Sequence, residues 1–324
     1  MNQLPTIITA NSIELHYLFT DDTHTMDAVI QNKCEYDFLA IIKAVATTFE
    51  VEITIETEPL ENGGLKRLFK VITKGENKNA AITTAAIVYL ITNIFLAPIA
   101  TSLTEVVKQS IAHFFEDKEL KQLEKEKLKE EIKNIKEDTK IKTQKLNENT
   151  IVIKKRSDFY EAIEKYQKVE KIGVQIKYGD QNISDEKIVS RVQFKEYILA
   201  TNKLEPIKID NQEIEIISPV LKKGNYKWRG IYKGEPISFN MKSIEYKALV
   251  QTGKVEFKNG SSIKCLLELK RELDVEGREI VTDYNIILVN EYFVNDKPFE
   301  TSEGKQHRQK QEADRSQLKM FGQD

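Results

Sequence analysis

Apolar positions in the first 75 residues follow two different periods. In Asn11–Phe19, Ile13, Leu15, Tyr17 and Phe19 alternate with Glu14, His16 and Leu18, which predicts a strand with one dry face. From Thr23 to Glu50 the apolar series Met26, Ile30, Cys34, Phe38, Ile41, Val45 and Phe49 steps by three and four. That spacing predicts an amphipathic helix, with Asp22 or a neighbouring threonine as its cap. Val51, Ile53 and Ile55 then alternate with Glu52, Thr54 and Glu56, and Gly63-Gly64 permits a tight turn. Residues 65–73 fit either a third strand or a short helix. Together these segments predict a small α/β unit over residues 1–78.

Between Lys78 and Glu105 lie 26 residues without a charge. Thr83, Thr84, Thr92, Asn93, Thr101 and Ser102 project in nearly every direction at 100° per residue, so no polar stripe forms. The helix is therefore expected to be enclosed on all sides. Its apolar surface is carried by Ile82, Ile87, Val88, Tyr89 and Leu90, then by Ile91, Ile94, Phe95 and Leu96. At roughly 1.5 Å per residue the run reaches roughly 39 Å, more than a hydrocarbon layer of about 30 Å. Alanines, hydroxyls and Pro98 dilute its hydropathy. The enclosing medium is thus either lipid, making the run a transmembrane or membrane-inserting segment, or protein. Both readings imply a homo-oligomer, because several copies can bury these helices against each other.

Beyond Pro98 the pattern becomes amphipathic, and 79–117 reads as one helical region. Residues 118–148 contain no Gly or Pro and alternate Glu with Lys at helical spacing. They predict a long charged stalk; Leu128, Ile132 and Ile135 keep a heptad too briefly for a sustained coiled coil. From 149 to 299 the chain turns to β. TIVIKKR, KIGVQIKYG, EIEIISPVL, YKWRGIYKG, EPISFNMK, KVEFKNG, SSIKCLLELKREL and EIVTDYNIILVNEYF are strand-like, and SDFYEAIEKYQ, RVQFKEYILATN and SIEYKALVQ are helical interludes. Asn259-Gly260 signals a hairpin. The expected class is α+β, with a small-barrel-like C-terminal domain and a polar, disordered tail over 300–324.

Composition narrows the function. Forty-nine basic against 51 acidic residues give a net charge of −2, which excludes coating of nucleic acid by bulk charge and leaves room for a local basic patch. Cys34 falls on the apolar face of a predicted helix and Cys265 inside a predicted strand, as in a reducing compartment. The N-terminus lacks the pattern of a secretory signal, so a cytoplasmic or inner-membrane-associated location is expected. His24, Asp27 and Glu35 are of the types an acid-base or metal site needs, although acids at a helix N-terminus explain them more simply. No cofactor or metal motif occurs. Tyr226, Trp228 and Tyr232 interleave with Lys222, Lys223, Lys227, Arg229 and Lys233, either as a stacking platform for nucleic acid or as an ordinary half-buried strand.

The final peptide, Gln317-Leu318-Lys319-Met320-Phe321, resembles the pentapeptide by which many bacterial DNA-replication and repair proteins dock on the sliding clamp. In that family the usual sequence is Gln-Leu, a small or acidic residue, then Leu-Phe. Gln317, Leu318, Met320 and Phe321 match in type and Lys319 departs. The resemblance implies that Gln317 and Leu318 enter one part of a hydrophobic pocket and Met320 and Phe321 the rest. Two functions follow. One is a non-enzymatic, membrane-associated or membrane-inserting oligomeric effector or scaffold with a β-rich recognition domain, which would suit phage defence. The other is a soluble, oligomeric nucleic-acid-processing accessory protein recruited to the sliding clamp by its tail.

Overall fold

Strand β1, Ser12–Phe19, is the central strand of an antiparallel sheet that draws on distant parts of the chain. On one side it pairs with β3 (Leu65–Thr73), which pairs in turn with β2 (Ile53–Thr57). On the other side it pairs with β4 (Val169–Tyr178), whose far edge carries β5 (Gln181–Asn182) and β6 (Lys187–Ser190). The computed structural model describes residues 10–21, 25–57, 65–73, 78–116, 146, 149–222, 224–294 and 297–321, with the side chains of 78–82, 115 and 318–321 excepted. It contains two units, residues 1–201 with 275–278, and residues 202–274 with 279–324.

In unit 1, helices α1 (Ala28–Thr48), α2 (Lys78–Phe95), α3 (Leu103–Phe115) and α4 (Thr150–Lys165) share one core with the sheet. Alternation along β1 sends Ile13, Leu15 and Tyr17 into that core and leaves Glu14 and His16 on the other face. There Lys66 and Lys177 hold Glu14 at 3.2 and 3.0 Å, and His16 meets Glu186 at 2.9 Å. Gly173 permits this last contact, since a Cβ there would lie 2.0 Å from Glu186 Oε1. The uncharged run is α2 and the turn after it. Ile87, Val88, Leu90, Ile91, Ile94 and Phe95 are at most 1 % exposed, with Tyr89 and Leu96 half-buried. Phe95 packs edge-on against Phe38 and Phe159, with ring centres 4.8 Å apart in each pair.

The polar groups of α2 find partners within the unit. Thr92 Oγ1 donates to Val88 O, Asn93 Nδ2 donates to Tyr89 O, and Thr84 pairs with Thr73 at 2.7 Å. Carbonyls at the end of a helix have no intrahelical partner. Here the fully buried Arg156 donates to Ile94 O at 2.8 Å, and the hydroxyls of Tyr160 and Tyr197 donate to Phe95 O and Leu96 O. Burial lowers the Arg156 pKa to about 10, and the nearby tyrosines oppose that shift. A cation at the C-terminal end also complements the helix dipole. The helix is therefore enclosed by its own chain, and its burial requires no second copy. No described helix is long and apolar enough to cross a membrane.

Three expectations are corrected. Residues 150–201 belong to unit 1 and not to the β-rich domain, because β4 supplies the second neighbour of β1. TIVIKKR is the first half of α4, capped by Asn149, whose side chain accepts from Val152 N. Its β-branched residues give way to the 3.6-residue period of Val152, Phe159 and Ile163, all fully buried. The 300–324 tail is not disordered throughout: β12 (Lys297–Glu300) and a helix over Ser302–Phe321, here α6, occupy it. The 118–148 stalk lies outside the described residues, except for Leu146.

Unit 2 is a closed barrel. Strands β7 (Lys203–Ser218), β8 (Trp228–Tyr232) and β9 (Glu235–Met241) form an antiparallel meander, and α5 (Ile244–Gln251) follows. Strand β10 (Ser262–Leu273) lies beside β7, giving the spatial order four-one-two-three of a Greek key. Strand β11 (Glu279–Val294) pairs antiparallel with β10 and parallel with β9, which closes five strands into a ring. Trp228, Phe239, Ile263, Cys265, Leu267, Ile286 and Val289 fill it and are fully buried. KVEFKNG forms no strand; Asn259-Gly260 turns the chain into β10 with Gly260 at φ 83°.

Candidate functional site

Alternation along β8 settles the aromatic and basic cluster. Trp228 is 0 % and Tyr232 8 % exposed, both in the barrel core, whereas Lys227 and Arg229 face out. Tyr226 precedes the strand and escapes this rule; it is 62 % exposed. Its ring lies across Gly224, which has φ 144°. A Cβ at Gly224 would meet Tyr226 Cε2 at 2.7 Å. Glycine here both adopts a conformation that side chains resist and clears the space the ring occupies.

Tyr226 forms one wall of a cavity of about 400 Å³. The connection from β7 to β8 supplies Gly224 and Asn225, the end of β9 supplies Asn240 and Met241, and Lys242 and the first two turns of α5 supply the remainder. Ser243 caps α5 by accepting from Tyr246 N at 3.1 Å, which fixes Lys242 and Ile244 on either side of the cap. Ile244 is 83 % exposed. Ten residues line the cavity and none is acidic, while Lys242 and Lys247 are both present. Among the described residues neither lysine forms an ion pair.

The carboxylate nearest in sequence is committed elsewhere. Glu245 accepts from Ser302 N at 2.9 Å and Glu303 N at 2.8 Å, so it caps α6. Asn240 donates its amide nitrogen to Asp283 and Asn285, at 2.8 and 2.9 Å, and therefore presents its oxygen as an acceptor. Arg229 and Ser238, paired across β8 and β9, extend the polar outer face next to Asn240. The local charge departs from the near-neutral total: residues 219–258 hold nine basic and three acidic side chains.

A second polar cluster fixes α6 to the barrel. Asp210 on β7 accepts from Asn290 at 3.1 Å and from Gln311, and faces His307 Nε2 at 3.1 Å. Burial pushes the Asp210 carboxyl up; hydrogen bonds from Asn290, Gln311, the Asn211 amide and His307 outweigh it and hold the pKa low. Glu303 accepts from Ser243 and, at 3.0 Å, from Val289 N. Gly304 is buried against the Asn290 backbone. Every residue from Glu312 to Gln317 is exposed, and the helical backbone continues to Phe321.

The other predicted site residues are not brought together. His24 lies outside the described residues. Asp27 caps α1, its carboxylate accepting from Val29 N and Ile30 N. Glu35, about 12 Å further along the helix, pairs with Arg67 at 2.8 Å. Ile82, Leu318, Met320 and Phe321 lie on helical backbone, with side chains outside the described set. Among the described residues, no group of three or more His, Cys, Asp or Glu is placed to hold a metal ion. Lys242, Ile244 and Lys247 were missed as site residues because SIEYKALVQ reads only as a short helix. The one available signal was the excess of basic residues around it. No protein-family model, curated protein or solved structure matches this chain.

Proposed function

We propose that this chain is a non-enzymatic accessory protein of nucleic-acid transactions, in which the barrel recognises the ligand and α6 carries a partner-binding peptide to a sliding clamp. The observation that carries the reading is how α6 is held. Its base is fastened by Glu245, Asp210 and the Val289 amide, and its outer half, from Glu312 to Gln317, touches nothing that would bury it. A helix with so few apolar residues gains little by ordering on its own surface, and a short recognition motif at its end accounts for the arrangement. Five-stranded Greek-key barrels place oligonucleotide or oligosaccharide sites on their second and third strands and the adjoining loops. The Tyr226 cavity lies next to that place, at the connection between the first and second barrel strands and the end of the third. The likeness is one of architecture, and the lining side chains carry the chemistry.

The membrane-effector alternative rests on the uncharged run, and the burial of Leu90, Ile91, Ile94 and Phe95 within unit 1 supports the accessory reading over it. The same burial withdraws the argument for an oligomer built on α2. Binding of the purified chain to a bacterial sliding clamp, measured by calorimetry, tests the proposal. The expected result is binding that Phe321→Ala or Leu318→Ala abolishes. Undiminished binding by both variants, or none by the parent chain, overturns it.

A further inference from the structure

The cavity beside Tyr226 offers a flat aromatic face, an exposed aliphatic side chain, two lysines without an ion pair among the described residues, and amide groups, within a volume typical of small-ligand sites. A neutral sugar makes no use of two lysines. An acidic peptide leaves the ring and Ile244 uncovered. A duplex keeps its bases stacked inside, where Tyr226 cannot reach them. One unstacked nucleotide uses every element. We infer that this cavity holds one nucleotide of a single-stranded nucleic acid, its base stacked on Tyr226 beside Ile244 and its phosphate between Lys242 and Lys247. Asn225, Asn240 and Gln251 face the base edge, Asn240 as an acceptor. The neighbouring phosphate runs out over the β8–β9 face toward Arg229.

This inference deepens the nucleic-acid side of the proposed function and rests on it. The two are separable, because clamp binding is assigned to Phe321 and strand binding to Tyr226. The test is fluorescence anisotropy with the full-length chain and a labelled oligothymidylate of about 12 nucleotides, within the range of barrel site sizes. Tyr226→Ala should weaken binding roughly tenfold, since stacking contributes that much per base, and Tyr226→Phe, which keeps the ring, should restore it. Replacing Lys242 and Lys247 by Gln should reduce the slope of log K against log salt by about 0.7, the value for the one phosphate they share on a single strand. Phe321→Ala should leave strand affinity unchanged.

The inference is overturned if the parent chain does not bind the strand or if Tyr226→Ala binds as tightly as the parent. It also falls if Phe321→Ala abolishes strand binding, or if a duplex or polyglutamate competes as well as the single strand. Tyr226 and Lys242 are exposed, and circular dichroism of each variant separates lost binding from lost folding.

Discussion

Gly304→Ala distinguishes a docked α6 from a free helical tail by the sign of its effect. In an isolated helix this change is favourable by about 1 kcal/mol, because glycine is a poor helix former. Here the added methyl group would lie 2.3 Å from Asn290 O, 2.6 Å from its Cα and 2.8 Å from its carbonyl carbon. These are backbone atoms of a paired strand and cannot rotate away. Restoring contact distance requires α6 to rise by about 1 Å, and overpacking of this kind costs about 1–3 kcal/mol. Such a shift also lengthens the bonds from Ser302 N and Glu303 N to Glu245 and the contacts of His307 and Gln311 with Asp210. With the propensity gain subtracted and the dock loosened, the net expectation is destabilisation by about 1–2 kcal/mol, or a Tm lower by about 3–8 °C. Calorimetry of the full chain, with hydrogen exchange followed on peptides covering 302–317, reads both stability and docking. Exchange across α6 should rise while that of the barrel strands changes less. A Gly304→Ala chain with a higher Tm and unchanged protection of α6 would refute the docked geometry. Gln309→Ala, at an exposed position on the same helix, is the control and should be nearly neutral.

Acid should loosen the same dock. The folded-state pKa of Asp210 is depressed, so its contribution is complete above its unfolded value near 3.8 and disappears as pH falls through the folded one. Protease sensitivity of α6 should therefore rise below about pH 4, and Asp210→Asn should flatten the profile while weakening protection at neutral pH; unchanged protection down to pH 3 would count against it. Within unit 1, Ile91→Ala removes a fully buried side chain of α2 and should cost about 2–5 kcal/mol in denaturant unfolding without detergent. An unchanged midpoint would mean that α2 is not part of this core.

Much of the local structure was legible from residue type and spacing. Period-two alternation gave β1, β2, β8 and β9, and a 3.6-residue period gave α1, since each pattern records which sides of an element meet water. The same logic offered a half-buried strand as one of two readings for Trp228 and required the helix through Leu90 to be dry all round. Pattern alone did not identify what meets the dry side. α2 is covered by β1, β3, β4, α1 and α3, and its last carbonyls are capped by Arg156, Tyr160 and Tyr197, which lie more than 60 positions further along the chain. Tertiary pairing also decided that 150–201 completes the first sheet and overrode the β propensity of TIVIKKR. The C-terminal helix was invisible for a different reason. Polar contacts of Asp210, Glu245 and the Val289 amide hold it, and hydrogen bonds between distant groups leave no periodic trace in a sequence. The cavity likewise exists only because antiparallel pairing of β8 with β9 brings the end of β9 and the start of α5 beside Tyr226; along the chain these are merely nearby residues of unremarked type.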